Sequence, residues 1–271
     1  MRIAAFDLGS NSFHLLVVDA HADGTFVPLI KEKEMLRLGD AVGREGRIPE
    51  ALADRAVATG DRFRRLAEGA GTEEIHARAT AALREAENGG EVVDRMAAEA
   101  GVRVRVISGQ EEARLIFEAV RASVVIDPAP ALCLDLGGGS LEVMVGDAAG
   151  LRWASSVKLG AARLTAELVA SDPPSERDVR RLRERVIAEL APLAEEVARF
   201  SPAMAVGTSG SFLALARMVA ARRSGGIPVS VTMAGGYAPN IEDTVYVHCR
   251  TISHVATTHV RERKTAPGRG V

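Results

Sequence analysis

Cysteine, a signal segment and long apolar runs are all scarce or missing in this chain. Its 271 residues include two cysteines, Cys133 and Cys249, which excludes a disulfide scaffold and indicates a reducing compartment. No uninterrupted apolar stretch approaches the roughly 20 residues that span a bilayer, so we expect no membrane association. The opening MRIAAFDLGS lacks the apolar core of a secretory signal, which predicts a cytoplasmic protein.

An excess of charge of either sign is also missing. The chain has 34 basic and 36 acidic side chains and a formal net charge of -2. Nothing global therefore attracts nucleic acid or an anionic membrane, and any anion site must be local. A hydrophobic content of 47% predicts a substantial core, and the length suits one large or two ordinary domains.

The strongest positive feature is an internal repeat. The phrase FDLGSNSFHLLVVD at 6–19 returns as LDLGGGSLEVMVGD at 134–147, which puts Asp7 and Asp135 128 residues apart. Each copy opens a β-rich stretch with Gly and Asp turns, which predicts a three-stranded antiparallel meander. Two similar α/β domains are the economical interpretation.

Helical patterns follow each meander. The segment SGQEEARLIFEAVRASV begins with Ser108 and Glu111 at the spacing of a capping box, which marks a helix start. A long amphipathic helix is predicted over 175–200, with Val179 and later apolar residues at steps of three and four and a kink at Pro192. A strand, a Gly/Ser-rich turn and a helix follow in AMAVGTSGSFLALARMVAARR. We predict a first domain over 1–126, a partial second domain over 127–223, a strand and helix tail over 224–258 that completes the second domain, and a disordered end over 259–271.

Three turns combine small residues with hydroxyls or amides. Small residues let a phosphate approach the backbone, so that main-chain N–H groups can bind its oxygens. A carboxylate beside a phosphate requires a cation between them, so Asp7 and Asp135 predict Mg²⁺ held partly through water. Taken singly, each turn is better interpreted as a tight hairpin, and it is the presence of three such turns in a duplicated frame that favours a phosphate site. The candidate phosphate-binding residues are Gly9, Ser10, Asn11, Ser12, Gly137, Gly138, Gly139, Ser140, Gly207, Thr208, Ser209 and Gly210.

These motifs carry a family resemblance. The duplicated Asp-Leu-Gly hairpins and the later GTSG resemble the actin, sugar kinase and Hsp70 superfamily, which implies two RNase H-like domains that close on a phosphate-bearing ligand. More narrowly, seven segments resemble the exopolyphosphatase and guanosine pentaphosphate phosphatase (Ppx/GppA) family over about residues 1–222, in the same order. They are FDLGSNSFHLLVVD, LRLGDAVGREGRIPEALADRA, ATAALREAENG, VISGQEEARLIF, LDLGGGSLEVMVG, VKLGAARLTA and VGTSGS.

The resemblance implies Mg²⁺-dependent hydrolysis of a terminal phosphoanhydride by water, in polyphosphate or in the guanosine pentaphosphate. Its catalytic glutamate falls at Glu112, because the capping box would occupy the carboxylate of Glu111 and leave Glu112 free at the positive helix end. Glu142 resembles a second acidic residue that orients water or binds metal. Arg37 and Arg84 match basic positions along the phosphate chain, although Arg37 alone is as well interpreted as a surface residue.

The resemblance ends near Arg222. Residues 226–251 instead look like the end of histone deacetylase and acetoin-utilisation proteins, whose tyrosine corresponds to Tyr237, but the zinc ligands of that family have no counterpart here. His248, His254 and His259 do not share one helical face with Cys249, so zinc is not expected. Two alternative functions stay open: an ATP-binding kinase or ATPase of the superfamily, and a phosphate-binding sensor without turnover. The choice of substrate and a homodimer also stay open.

Overall fold

The computed structural model describes residues 1–22 and 25–214. Its strands are β1 (Arg2–Leu8), β2 (Ser12–Ala20), β3 (Phe26–Met35), β4 (Glu74–Ala79), β5 (Val104–Val106), β6 (Ala131–Leu136), β7 (Leu141–Asp147), β8 (Gly150–Val157) and β9 (Met204–Thr208). Its helices are α1 (Leu38–Glu45), α2 (Glu50–Gly69), α3 (Ala81–Glu85), α4 (Gly89–Ala100), α5 (Gly109–Ser123), α6 (Ala161–Leu168) and α7 (Glu176–Ala198).

The first sheet has the order β3-β2-β1-β4-β5, with β1 antiparallel to β2 and parallel to β4. Alternation explains its packing, because Ala4, Phe6 and Leu8 of β1 are buried while Ala5 and Asp7 are exposed. The apolar face of α2 covers this side of the sheet, and Phe63 packs edge-on against Phe6 with ring centroids 5.8 Å apart.

The second sheet has the order β8-β7-β6-β9, with β6 parallel to β9. Its core contains Phe117 of α5, Cys133 of β6, Met144 of β7 and Val206 of β9. Burial raises the pKa of the Cys133 thiol to about 12.

The sheets share one strand order, since β3-β2-β1-β4 corresponds to β8-β7-β6-β9. The predicted repeat and both predicted meanders are therefore confirmed. The contacts divide the described residues into a first unit within 1–112, 137–141 and 156–191, and a second unit of 113–136, 142–155 and 192–214. The glycine turn of the second copy thus belongs to the first unit. The boundary predicted from the sequence, at 126/127, had placed this turn in the second domain.

Two helices begin where they were predicted, but the contacts near their starts differ from prediction. The Ser108 hydroxyl accepts the Glu111 N–H at 3.1 Å, but the Glu111 carboxylate pairs with Arg105 and leaves the predicted capping box half formed. A reciprocal cap forms instead at α7, where the Ser175 hydroxyl accepts the Asp178 N–H at 3.2 Å and the Asp178 carboxylate accepts the Ser175 N–H at 3.1 Å. This cap buries Asp178 and leaves the next residue, Val179, 53% exposed, although the amphipathic pattern predicted it in the core.

None of the helices in these described ranges is long and apolar enough to cross a membrane. The predictions for the C-terminal strand and helix, for Tyr237, for the three histidines and for the tail lie outside the described residues.

Candidate active site

The two Asp-Leu-Gly turns have the same backbone geometry. In the first turn, the Gly9 N–H donates to the Ser12 carbonyl at 3.1 Å. In the second turn, the Gly137 N–H donates to the Ser140 carbonyl at 3.0 Å. The matching residues are again 128 positions apart. The repeat therefore extends from the strands to individual hydrogen bonds.

The carbonyls of the first turn face the start of α1. The Ser10 carbonyl accepts the Gly39 N–H at 2.7 Å, and the Asn11 carbonyl accepts the Arg37 N–H at 2.8 Å. A trans peptide is planar, so each C=O points opposite to the N–H that follows it. The N–H groups of Asn11 and Ser12 are thereby directed away from α1.

The carbonyls of the second turn face the start of α6 in the same way. The Gly137 carbonyl accepts the Ala161 N–H at 2.9 Å and the Gly138 carbonyl accepts the Arg163 N–H at 3.0 Å. The Gly139 carbonyl accepts the Nε–H of the Arg163 side chain at 2.9 Å. Three consecutive N–H groups, those of the residues that follow these carbonyls, therefore point away from α6. Successive N–H groups on one face of a turn form an anion-binding concavity.

The turns touch each other inside the first unit. A Cβ at Gly138 would lie 3.2 Å from the Asn11 Cβ, and a Cβ at Gly139 would lie 2.7 Å from the Ser10 Oγ. The Ser10 hydroxyl in turn accepts the Ala82 N–H of α3 at 3.1 Å. Any side chain at Gly139 would overlap the Ser10 hydroxyl, and one at Gly138 would press on Asn11, so contact with the first copy explains the second and third glycines of GGG.

Arg84 and Glu112 are brought together in the same unit. The Arg84 Nη1 lies 3.3 Å from the Glu112 Oε2 and donates to the Ile107 carbonyl at 2.8 Å. The expectation that Glu112 is free was therefore wrong, because the Arg84 guanidinium reaches it from α3. Glu111 was set aside because a capping box would occupy its carboxylate. That carboxylate is indeed occupied, but by Arg105 and not by a capping bond.

Sequence reasoning missed Ser156. A Cβ on Gly109, at the start of α5, would lie 2.5 Å from the Ser156 Cβ and Oγ and 3.8 Å from the Arg84 Nη2. Ser156 thus lies beside the helix end that carries Glu112. The one signal for it in the sequence is its position, directly before the VKLGAARLTA segment that carries the family resemblance.

Ser12 and Arg37 occupy the rim of the first turn. The Ser12 Oγ lies 2.8 Å from the His14 Nε2. Burial, and next the Lys33 charge, lower the pKa of His14 to about 4, so its imidazole is neutral at pH 7. Arg37 has an exposed side chain and a left-handed backbone with φ 57°, and its structural contribution is the N–H bonded to Asn11.

The remaining candidates belong to the second unit. The Thr208 hydroxyl donates to the Asp135 carboxylate, and the Ser209 hydroxyl donates to the Leu136 carbonyl at 2.7 Å. Burial raises the pKa of Asp135, and the Thr208 hydrogen bond opposes this rise. Glu142 is only 1% exposed, so its carboxylate is far more buried than that of a surface residue.

The glycines of the third turn differ in what surrounds them. A Cβ at Gly207 would lie 2.5 Å from the Phe212 ring, so this position requires glycine. A Cβ at Gly210 would meet no atom of the described part of the chain within 4 Å. Gly207 is thus explained by packing as fully as by ligand binding.

The next feature is the pair of predicted metal ligands, Asp7 and Asp135. Carboxylates suit a hard cation that is also bound by phosphate oxygens. Within 1–22 and 25–214 no group of three or more His, Cys, Asp or Glu side chains could hold a metal by itself. Mg²⁺ keeps several waters and is held in proteins by one or two carboxylates together with substrate phosphates. Asp7 is exposed at the end of β1, and burial of Asp135 disfavours an uncompensated charge there, so each carboxylate taken by itself has the chemistry of such a ligand.

The fold defines a class, the α/β proteins built from a duplicated β-meander. Residues 17–233 match the Ppx/GppA phosphatase family, so the chain belongs to that family. The predicted family and fold are thereby confirmed.

Relatives agree with this assignment. The chain is 43% identical to Exopolyphosphatase 1 of Mycobacterium tuberculosis over 225 residues, which are 83% of this chain and 65% of that protein. It is 40% identical to Exopolyphosphatase 1 of Mycobacterium leprae over 229 residues, 84% of this chain and 68% of the relative. The chain thus spans about two thirds of the length of the curated relatives it matches.

Solved structures share the fold. An exopolyphosphatase from Cytophaga hutchinsonii is 33% identical with a TM-score of 0.75, over 83% of this chain and 72% of that one. A Ppx/GppA family member from Aquifex aeolicus is 28% identical with a TM-score of 0.65, over 84% of this chain and 72% of that one.

Proposed function

We propose that this chain hydrolyses the terminal phosphoanhydride bond of inorganic polyphosphate. The observation that carries the proposal is the pair of touching turns whose carbonyls are bonded to α1 and α6, so that the N–H groups of Asn11, Ser12, Gly138, Gly139 and Ser140 are available to bind phosphate oxygens. The Mycobacterium relatives named exopolyphosphatases support this choice of substrate.

Arg84 and Glu112 supply the charged groups of the mechanism. The Arg84 guanidinium, already 3.3 Å from Glu112, can grip a phosphate oxygen and hold the carboxylate in place. Glu112 then accepts a proton from the attacking water, as a general base does. Backbone N–H groups stabilise the charge that develops on the transferring phosphoryl group, so positioning and electrostatics provide most of the catalysis.

Mg²⁺ completes the proposal. Asp7 and Asp135 stay the proposed ligands, and Glu142 stays a proposed water-orienting or metal-binding residue. When bound, the metal would neutralise phosphate charge that otherwise repels these carboxylates. Removing Mg²⁺ with a chelator is expected to stop phosphate release and to allow recovery when Mg²⁺ is returned.

The test compares Glu112→Gln with Glu111→Gln. Both substitutions replace a carboxylate by an amide in the first turn of α5, but the Glu111 carboxylate pairs with Arg105 on the surface. We expect Glu112→Gln to lower phosphate release by at least about 100-fold, as loss of a general base does, and Glu111→Gln to retain activity. Equal activity of the two variants would remove Glu112 from its role.

The substrates separate the competing functions. Release should be measured from polyphosphate, guanosine pentaphosphate and ATP, because all three end in a phosphoanhydride. Turnover of guanosine pentaphosphate alone would change the substrate but keep the chemistry. Turnover of ATP alone would favour the kinase or ATPase alternative. Polyphosphate binding without any release would favour a sensor.

A further inference from the structure

Arg163 is the residue on which the second glycine turn depends most. Its backbone N–H donates to the Gly138 carbonyl at 3.0 Å and its side-chain Nε–H donates to the Gly139 carbonyl at 2.9 Å. Its Nη2 donates to the Glu85 carboxylate at 2.6 Å. The side chains of Arg163 and Glu85 are only 13% and 17% exposed, so the ion pair lies largely away from solvent.

The repeat shows what the Arg163 side chain replaces. Asn11 of the first turn corresponds to Gly139 of the second, and the Asn11 carbonyl accepts two backbone N–H groups, those of Leu36 and Arg37. In the second turn a side chain performs this task. The orientation of the peptide between Gly139 and Ser140, and with it the direction of the Ser140 N–H, therefore depends on one guanidinium.

The other end of the guanidinium reaches α3. Glu85 directly follows Arg84 in that helix, and Lys158 also contacts the Glu85 carboxylate at 3.1 Å. Two cations on one carboxylate fix Glu85 in place. The fork of Arg163 thus connects the second turn to the helix that carries the proposed phosphate-gripping arginine.

We propose that Arg163 is a positioning residue, which orients the Gly139–Ser140 peptide for phosphate binding and couples this turn to Arg84. The proposal rests on the proposed function of the same site. Arg163 acts through the Gly139 carbonyl, so loss of that hydrogen bond weakens phosphate binding even when the ion pair with Glu85 is retained.

Three variants separate the turn from the ion pair. Arg163→Met loses both contacts, Glu85→Gln keeps an acceptor for Arg163, and Arg163→Lys keeps the charge but has no planar fork to serve two acceptors at once. Inorganic phosphate affinity, measured by calorimetry, should fall about tenfold in both Arg163 variants, the value of one charge-assisted hydrogen bond, and less than about threefold in Glu85→Gln. Glu167→Gln, which alters the weaker 3.7 Å neighbour of Arg163, is the matched control and should bind like the wild type.

A spectroscopic readout distinguishes positioning from general stability. In amide NMR spectra, phosphate should shift the Ser140 N–H signal of the wild type and of Glu85→Gln, and leave it nearly unmoved in Arg163→Lys. Wild-type affinity in Arg163→Lys, or a loss in Glu85→Gln as large as in Arg163→Met, would overturn the proposal. Because phosphate binding requires no turnover, a wild type that binds phosphate but releases none from polyphosphate refutes the proposed function and leaves this test intact. A wild type that binds no phosphate counts against both.

Discussion

Gly160, which precedes α6, offers a direct test of the close approach between α6 and the second turn. Its backbone angles, φ -63° and ψ 145°, are ordinary for any residue, so alanine meets no conformational penalty there. A Cβ at this position would, however, lie 2.3 Å from the Gly138 carbonyl oxygen and 2.3 Å from the Gly139 carbonyl carbon. Both atoms belong to backbone that hydrogen bonds from α6 hold in place. The overlap therefore cannot be relieved by a side-chain rotation.

The expected effect of Gly160→Ala is large for one methyl group. Overpacking against well-held atoms costs about 3 kcal/mol at the upper end of its usual range. For a chain of this size each kcal/mol corresponds to roughly 2–4 °C, so the Tm should fall by roughly 6–12 °C. Differential scanning calorimetry measures the Tm, and phosphate affinity should fall as well because the turn is displaced.

Gly90 provides the control. It lies in α4, and a Cβ there would meet no atom of the described residues within 4 Å. Gly90→Ala should raise the stability by less than about 1 kcal/mol, because alanine favours a helix more than glycine does and Gly90 lies in the first turn of α4. A Gly160→Ala variant that melts within about 2 °C of the wild type would refute the steric reasoning, since that shift corresponds to less than about 1 kcal/mol.

Two further predictions concern charge and burial. The folded pKa of His14 is about 4 and its ordinary value is 6.5, so the unfolded chain binds more protons between these pH values. From pH 7 to pH 5 the free energy of unfolding of the wild type should therefore fall by roughly 2 kcal/mol more than that of His14→Gln, as measured by urea unfolding. Equal losses would show that His14 is not held neutral. Thr208→Val should destabilise by about 1–3 kcal/mol, because it removes the buried hydroxyl that donates to the partly buried Asp135 carboxylate. The ionised Asp135 carboxylate needs this donor more than the protonated form does, so the destabilisation should shrink as the pH falls toward the raised pKa of Asp135. A pH-independent effect would contradict this reasoning.

Much of the fold followed from local patterns. Alternation predicted the meanders of β1–β3 and β6–β8, and apolar residues at steps of three and four predicted the long helix α7. The capping motif located the start of α5 correctly, although only half of its hydrogen bonds form. These features depend on neighbouring residues, and so they can be read one segment at a time.

The site was less predictable because its contacts join distant segments. The pairing of Arg84 with Glu112, the packing of Ser156 against Gly109 and the grip of Arg163 on Gly139 link residues that no periodicity connects. Arg163 in particular looks like one more surface arginine within its helical segment. Its two acceptors, a turn carbonyl and a carboxylate of α3, are 24 and 78 residues away.

The sequence by itself determined the duplicated α/β meander, the family and the two glycine turns, because strand alternation, repeat spacing and small residues are local properties of the chain. The tertiary structure alone decided that the turns touch and that their carbonyls accept hydrogen bonds from the starts of α1 and α6. The physical reason is that the C=O and the N–H of a peptide group point in opposite directions. Whether the N–H faces a phosphate depends on which group binds the C=O, and that partner comes from elsewhere in the fold.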